Sequence, residues 1–241
     1  MNRNRLIIVL AGLITLVSLP VMASKVMGLH VIDMNYLMVH FRDGEIHYRD
    51  NGTGPSAYLG HSFSEGDDTL VVFGERLKAS EVQNAGLWQI SSKDDKTFAT
   101  AQPISVWRKS KPMNTDHTLT SENDHWLFLQ LPKAMRQGCT YTVTIPKGIG
   151  ADQETLSIRY DIWNTQSEAV HVNIIGYSPA EQSHAADLYQ WLGDGGQRDY
   201  SSWEGRKVWL YNVSTKKKQS AGVVRFWKHA ADAEQEAGKK N

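Results

Sequence analysis

The stretch His125–Ile145, HWLFLQLPKAMRQGCTYTVTI, decides the fold. His125-Trp-Leu-Phe-Leu-Gln-Leu131 is aromatic and apolar, and it stops at Pro132, which has no amide to extend a ladder. A loop closed by Gln137-Gly138 leads into Thr140-Tyr-Thr-Val-Thr-Ile145, a β-branched run that reads as a second strand. Tyr141 stands near the start of that strand. Sandwich domains often place a tyrosine there, with its hydroxyl bonded back to the loop backbone. Cys139 is the only cysteine, so no intramolecular disulfide forms, and its place at a strand start reads as a small buried hydrophobe.

Outward from this corner the same grammar repeats. Asn35 to Phe41 alternates Tyr36, Met38 and His40 on one face with Leu37, Val39 and Phe41 on the other. Asp43-Gly44 then reads as a hairpin turn into Glu45 to Tyr48. Asp68–Phe73, Gly86–Ile90, Ile104–Trp107 and Leu156–Trp163 are further strands, and Asn51–Pro55 and Gly148–Asp152 are turns or loops. Asp67, Asp68, Asp94 and Asp95 read as solvated loop charges. Polar Asn164–Glu168 is the expected domain boundary. Beyond it Ala169–Tyr177, His184–Leu192, Lys207–Tyr211 and Val223–Trp227 continue as strands, with Gly193-Asp-Gly-Gly196 as a flexible connection. Short strands between turn signals, with few amphipathic helices, predict an all-β chain of two immunoglobulin-like β-sandwiches.

The chain opens with Arg3 and Arg5, an apolar run of about 14 residues from Leu6 to Leu19, then Pro20-Val-Met-Ala23. A basic start, a short apolar stretch and a small-residue end describe a secretory signal peptide cut between Ala23 and Ser24. The run is shorter than the roughly 20 residues a membrane-spanning helix needs. No membrane association is expected after cleavage, and the expected location is secreted or periplasmic. The domains are then residues 1–23 as signal peptide, 24–167 as a sandwich of unknown role, and 168–241 as a second, shortened one. Removing 23 of 241 residues takes away Arg3 and Arg5 and leaves 24 basic against 26 acidic side chains, a formal charge of −2. That balance argues against a nucleic-acid surface.

Catalytic signatures are missing from the sequence. The nine histidines include no H-E-x-x-H and no zinc-finger spacing. There is no G-x-S-x-G elbow and no P-loop. No catalytic residue, metal ligand or cofactor is expected, and His40 with His47 is read as a solvated strand face. The eight tryptophans offer stacking surfaces for sugar rings. Trp203, in the polar loop Asp199–Gly205, and Trp191 are the candidates for glycan stacking, while Trp126 and Trp209 are read as core.

Val170-His-Val-Asn-Ile-Ile-Gly-Tyr-Ser-Pro179 resembles the opening strand of the N-terminal immunoglobulin-like domain of family 9 glycoside hydrolases, with Asn173, Gly176, Tyr177 and Pro179 matching its pattern. The strands near Ala185–Trp191 and Val208–Tyr211 fall where that domain has its next ones, so the resemblance covers roughly residues 168–228. His184 replaces the family's usual basic residue, and the insertion Gly193–Trp203 is long. The resemblance implies an accessory domain beside an all-helical catalytic barrel and a role in polysaccharide degradation. The family's Asp-Ala-Gly-Asp motif is absent, so hydrolysis is not expected of this chain. Its expected partners are a polysaccharide and a family 9-type helical catalytic domain. The alternative is a stand-alone exported carbohydrate-binding or adhesion protein.

Overall fold

A computed structural model describes residues 24–47, 69–72, 76–115, 121–178, 180 and 184–227; the side chains of residues 46, 47, 69–72 and 115 are not described. The expected signal peptide with Ala23, the expected loop 51–55, Asp67, Asp68, His61, His117, Pro179 and the stretch from His229 lie outside them, and so does the side chain of His47.

The first part runs β1 (Lys25–Asp33), β2 (Tyr36–Arg42), β3 (Gly44–His47), β4 (Thr69–Val72), a four-residue helix α1 (Ala79–Val82), β5 (Gln89–Ser91), β6 (Ser105–Thr115), β7 (Ser121–Gln130), β8 (Thr140–Thr144) and β9 (Thr155–Arg159). The chain is mostly β-strand in several sheets with little helix, as the sequence predicts. One antiparallel sheet has the order β1-β2-β7-β6 and another β5-β8-β9. Between them lies a shared core in which Leu37, Val39, Phe41, Leu127 and Leu129 meet Ile90, Tyr141 and Val143. The β2 alternation falls as read: Leu37, Val39 and Phe41 enter this core, and Tyr36 and Met38 face the other way.

Tyr141 makes the expected corner. Its hydroxyl accepts a hydrogen bond from the Arg136 amide at 2.7 Å. It also donates to Asp95 Oδ2 at 2.8 Å. Asp95 is therefore not the solvated loop charge its polar neighbourhood predicts; it is fully buried. Its Oδ1 accepts from the Thr97 amide and hydroxyl at 3.0 and 2.8 Å. Short-range turn chemistry and the tyrosine satisfy the carboxylate, so burial does not strand it.

The Asp43-Gly44 hairpin is overturned. β2 pairs with β1 and β7, while β3 pairs with β4. Asp43 instead extends the β7 ladder, its amide donating to Asn123 O and its carboxylate accepting from the Asn123 amide. The true hairpin is β1–β2, turned at Met34-Asn35, where Asp33 Oδ1 accepts the Asn35 amide at 2.7 Å. That side-chain turn is local chemistry which an Asp-Gly pair nearby masks.

The second part contributes β10 (Val170–His171), β11 (Asp187–Leu188), β12 (Lys207–Asn212) and β13 (Lys217–Val223), as two two-stranded sheets. Only Asp187–Leu188 of the expected 184–192 strand is extended. The segment 164–168 is no free linker, because Glu168 N donates to Val31 O and Ser167 Oγ to Ile32 O along β1. Ala169 and Leu192 then join Ile32, Tyr36, Met38 and Phe128 in a second core on the outer face of the four-stranded sheet. Around Met38 and Phe128 that sheet is thus covered on both faces, which is why Tyr36–Val39 and Leu127–Leu129 read as continuous apolar runs.

The Gly193–Gly196 loop is likewise not a flexible connection. It is a tight turn pressed on β6, the edge strand. Asp194 Oδ1 accepts the Arg108 amide at 2.7 Å, closing an otherwise open edge donor. A Cβ on Gly193 would meet Arg108 O at 2.2 Å, and one on Gly195 the Trp107 ring at 2.4 Å. The glycines are there for close approach, a role composition alone does not separate from flexibility.

Candidate functional site

Three groups of side chains carry chemistry. The first lies on the outer face of the four-stranded sheet. Asp124 is buried and accepts from Arg42 Nε at 2.7 Å and from Arg42 Nη2 at 3.0 Å, and His40 Nε2 lies 2.8 Å from its Oδ2. The His40 ring stacks on Trp126 at 5.0 Å, and Lys109 sits over the same tryptophan. Trp126 is partly buried and packs against the second core, as its apolar strand predicts, while its ring also contacts His40 and Lys109. Burial works to raise the Asp124 carboxyl, but the hydrogen bonds from Arg42 and His40 outweigh it and hold it below the usual carboxylate range. Burial lowers His40, with Asp124 opposing.

The second group faces the other way. Ser110 Oγ and His125 Nδ1 are 2.7 Å apart, and His125 Nε2 lies 3.5 Å from Asp43 Oδ2. No sequence pattern announces this Ser–His–Asp chain, because its members come from β6, β7 and the β2–β3 junction, and cross-strand register joins them. Such a chain can activate a serine nucleophile. Here each end of the chain is also tied to neighbouring groups. Ser110 Oγ already accepts from the Arg108 guanidinium, whose Nε donates to Gln83 Oε1. Asp43 is shared with the Asn123 amide, and its contact to His125 stands at the outer limit of a hydrogen bond. Burial works to raise Asp43, and the bonds from His125 and Asn123 outweigh it and leave it lowered.

These groups set a pH dependence of one sign. Asp43, Asp95, Asp124 and His40 all have folded-state values below their ordinary ones of 3.8 and 6.5. The unfolded chain then binds more protons, so stability is complete above the ordinary values and is lost as pH falls through the folded ones. Thermal unfolding should be flat from about pH 7 to about 9, soften below 6.5 as His40 of the unfolded chain takes a proton, and fall steeply below 3.8 as the carboxylates do. A midpoint that rises on acidification across that window would contradict the assignment.

The third group is the aromatic surface of the second part. Trp191 is 53% exposed, beside Tyr189, whose ring stacks on His171 at 4.0 Å. Trp203 is not the exposed residue its polar loop predicts: it is half-buried, edge-on to Tyr200 at 5.4 Å, with the Arg206 guanidinium over its face at 4.9 Å. Trp209, read as core, is 41% exposed because both faces of β12–β13 are open. The structure does not bring Trp191 and Trp203 into one contact cluster. Between them Arg198 lies over the Tyr36 and Tyr200 rings and pairs with Asp33 at 3.0 Å, pinning the second part to β1 and β2. Among the described residues, no three or more His, Cys, Asp or Glu are grouped to hold a metal. No helix among them is long and apolar enough to cross a membrane.

Fold and site together define an all-β chain with a buried polar framework and an aromatic second part. No family model matches the sequence, and no curated protein matches it. Among solved structures, the N-terminal part of the bacterial S-layer protein SbsC is similar over 81% of this chain and 37% of that one, at 13% identity and a TM-score of 0.32. The chain thus spans little more than a third of that protein's solved length.

Proposed function

We propose that the chain is a non-catalytic, immunoglobulin-like accessory region of an exported protein that degrades polysaccharide. The observation that carries the accessory reading is the uncovered apolar surface of the second part. Ile174 and Ile175 are 98% and 93% exposed, Trp227 is 85% exposed, and Val172, Leu210 and Phe226 are also open to solvent. Large apolar side chains exposed in this number within one segment suit a region that another module covers. A family 9-type helical catalytic domain is the partner in this reading, in keeping with the resemblance over Asn173–Tyr177. There Asn173 Oδ1 accepts the Ile175 amide, and Gly176 turns the chain at φ 97°. Tyr177 is exposed and holds the turn through its hydroxyl, which accepts from the Asn173 amide and donates to Ala185 O.

The immunoglobulin-like reading of the first part draws support from strand order. A constant-type domain has strands A-B-E-D in one sheet and C-F-G in the other. The orders β1-β2-β7-β6 and β5-β8-β9 follow that scheme, with β3–β4 as an added hairpin between the second and third strands. Buried Trp88 immediately precedes β5, and Tyr141 stands at the head of β8, the places such domains give these residues.

Reading the coding sequence beyond Asn241 tests the accessory role. A continuing frame for an all-helical barrel is expected, and a stop with no such frame nearby would overturn it. Export has its own test. Ser24 is buried, and its amide donates to Gly150 O at 2.6 Å. N-terminal sequencing of the protein recovered from the periplasm or medium should begin at Ser24, and an intact Met1 would refute cleavage there. The exposed rings of Trp191 and Tyr189 favour a second reading, a stand-alone exported glycan-binding or adhesion protein. Affinity electrophoresis on neutral soluble glucans and a cellulose pull-down separate the two, since only the second reading requires retention by the isolated chain.

A further inference from the structure

The charge of this chain balances overall, 26 basic against 26 acidic residues, but not locally: Gly205 to Trp227 contains six Lys or Arg and no Asp or Glu. The imbalance lands on one hairpin. In β12–β13, Tyr211 stands opposite Lys218 and Asn212 opposite Lys217. Lys218 Nζ lies 4.8 Å from the Trp209 ring and 6.0 Å from that of Trp163, and Trp163 packs on Tyr211 at 4.5 Å. Lys207 approaches Trp209 from the other end at 5.9 Å. At the tip is an open cavity of about 560 Å³, lined by Leu210, Tyr211, Asn212, Thr215, Lys217, Lys218 and Gln219.

We propose that this hairpin is a binding site for an anionic polysaccharide, one carrying carboxylate, sulfate or phosphate groups on its sugar rings. The cavity holds the parts such a ligand needs. Lys217 and Lys218 supply positive charge, and Asn212, Thr215 and Gln219 offer hydrogen bonds to hydroxyls. Trp209 does not line the cavity but adjoins it through its contact with Lys218, and its exposed part offers an apolar surface for a ring's C–H face. Lys218, held over Trp209 and Trp163, is already ordered, so it loses less side-chain entropy on binding than a free surface lysine. A neutral glucan would leave the lysines without counter-charges. The site rests on the reading of the chain as a polysaccharide-associated module and specifies the chemistry of that polysaccharide.

Affinity electrophoresis of the full chain in gels containing polygalacturonate, with hydroxyethyl cellulose and single-stranded DNA in parallel gels, tests it. Retardation by polygalacturonate should weaken about tenfold or more between about 50 and 500 mM salt, as counterion release requires for two cationic contacts. K217A/K218A should weaken it about tenfold at low salt and W209A by a comparable factor, with thermal unfolding unchanged because these side chains are exposed. Retention of W209A binding at full strength would overturn the stacking component and with it the saccharide. Equal or tighter retardation by DNA would reassign the hairpin to polyanions of another class. Retardation by the neutral glucan alone, or by neither glycan, would overturn the anionic site while leaving the accessory reading intact, since that reading requires no retention by the isolated chain.

Discussion

Replacing Gly193 by alanine is expected to lower stability by about 2–4 kcal/mol. The added Cβ would lie 2.2 Å from the Arg108 carbonyl oxygen, a backbone atom that cannot swing away. The residue also sits at φ 69°, where alanine is strained in its own right. Gly148→Ala separates the two contributions. Gly148 has φ 81° and open space around its missing Cβ, so it should lose only about 1 kcal/mol. The damage at Gly193 should be regional. With the loop lifted from β6, Asp194 no longer receives the Arg108 amide, and that amide should exchange with solvent faster while the amides of β8 keep their protection. Uniform loss of protection would mean that the two parts unfold as one unit.

The second large effect belongs to Tyr141→Phe, expected to cost about 2–4 kcal/mol. The substitution keeps the ring, its edge-on contact with Phe98 at 5.1 Å and the packing between the sheets. It removes one oxygen that closes two bonds, leaving the Arg136 amide without this acceptor and Asp95 Oδ2 without its donor in a fully buried place. Losing a donor to a buried carboxylate costs more than losing a neutral bond. Urea unfolding at pH 7 should show a lower midpoint with an unchanged slope. A change within about 0.5 kcal/mol would place the hydroxyl in water and remove the corner from the account.

What the sequence reveals here divides by range. Tyr141 and its loop bond were legible because strand, loop, glycine and tyrosine lie within twenty-odd residues in fixed order, about the span over which turn chemistry acts. The two faces of β2 were legible from period two alone. The hairpin at Asp43-Gly44 was misread because a favourable turn pair does not determine which strand it serves, and Asp43 is taken by Asn123 from 80 residues away. Asp95 looked solvated because its most distant partner, Tyr141, lies 46 residues on. The relay of Ser110, His125 and Asp43 left no trace, since ladder register brings it together. Trp209 and Trp203 exchanged roles for a related reason. Exposure in the second part depends on which faces are covered, and its strands lie open where an apolar pattern predicts burial.

As proposed, this chain carries and binds but does not cut, and Ser110 is where that proposal is most exposed. A chromogenic ester assay together with a reducing-end assay, run on purified protein, gives the direct reading. Turnover at the uncatalysed background for both the wild type and Ser110→Ala is the predicted result. Hydrolysis by the wild type that Ser110→Ala abolishes, with the fold intact, would contradict it.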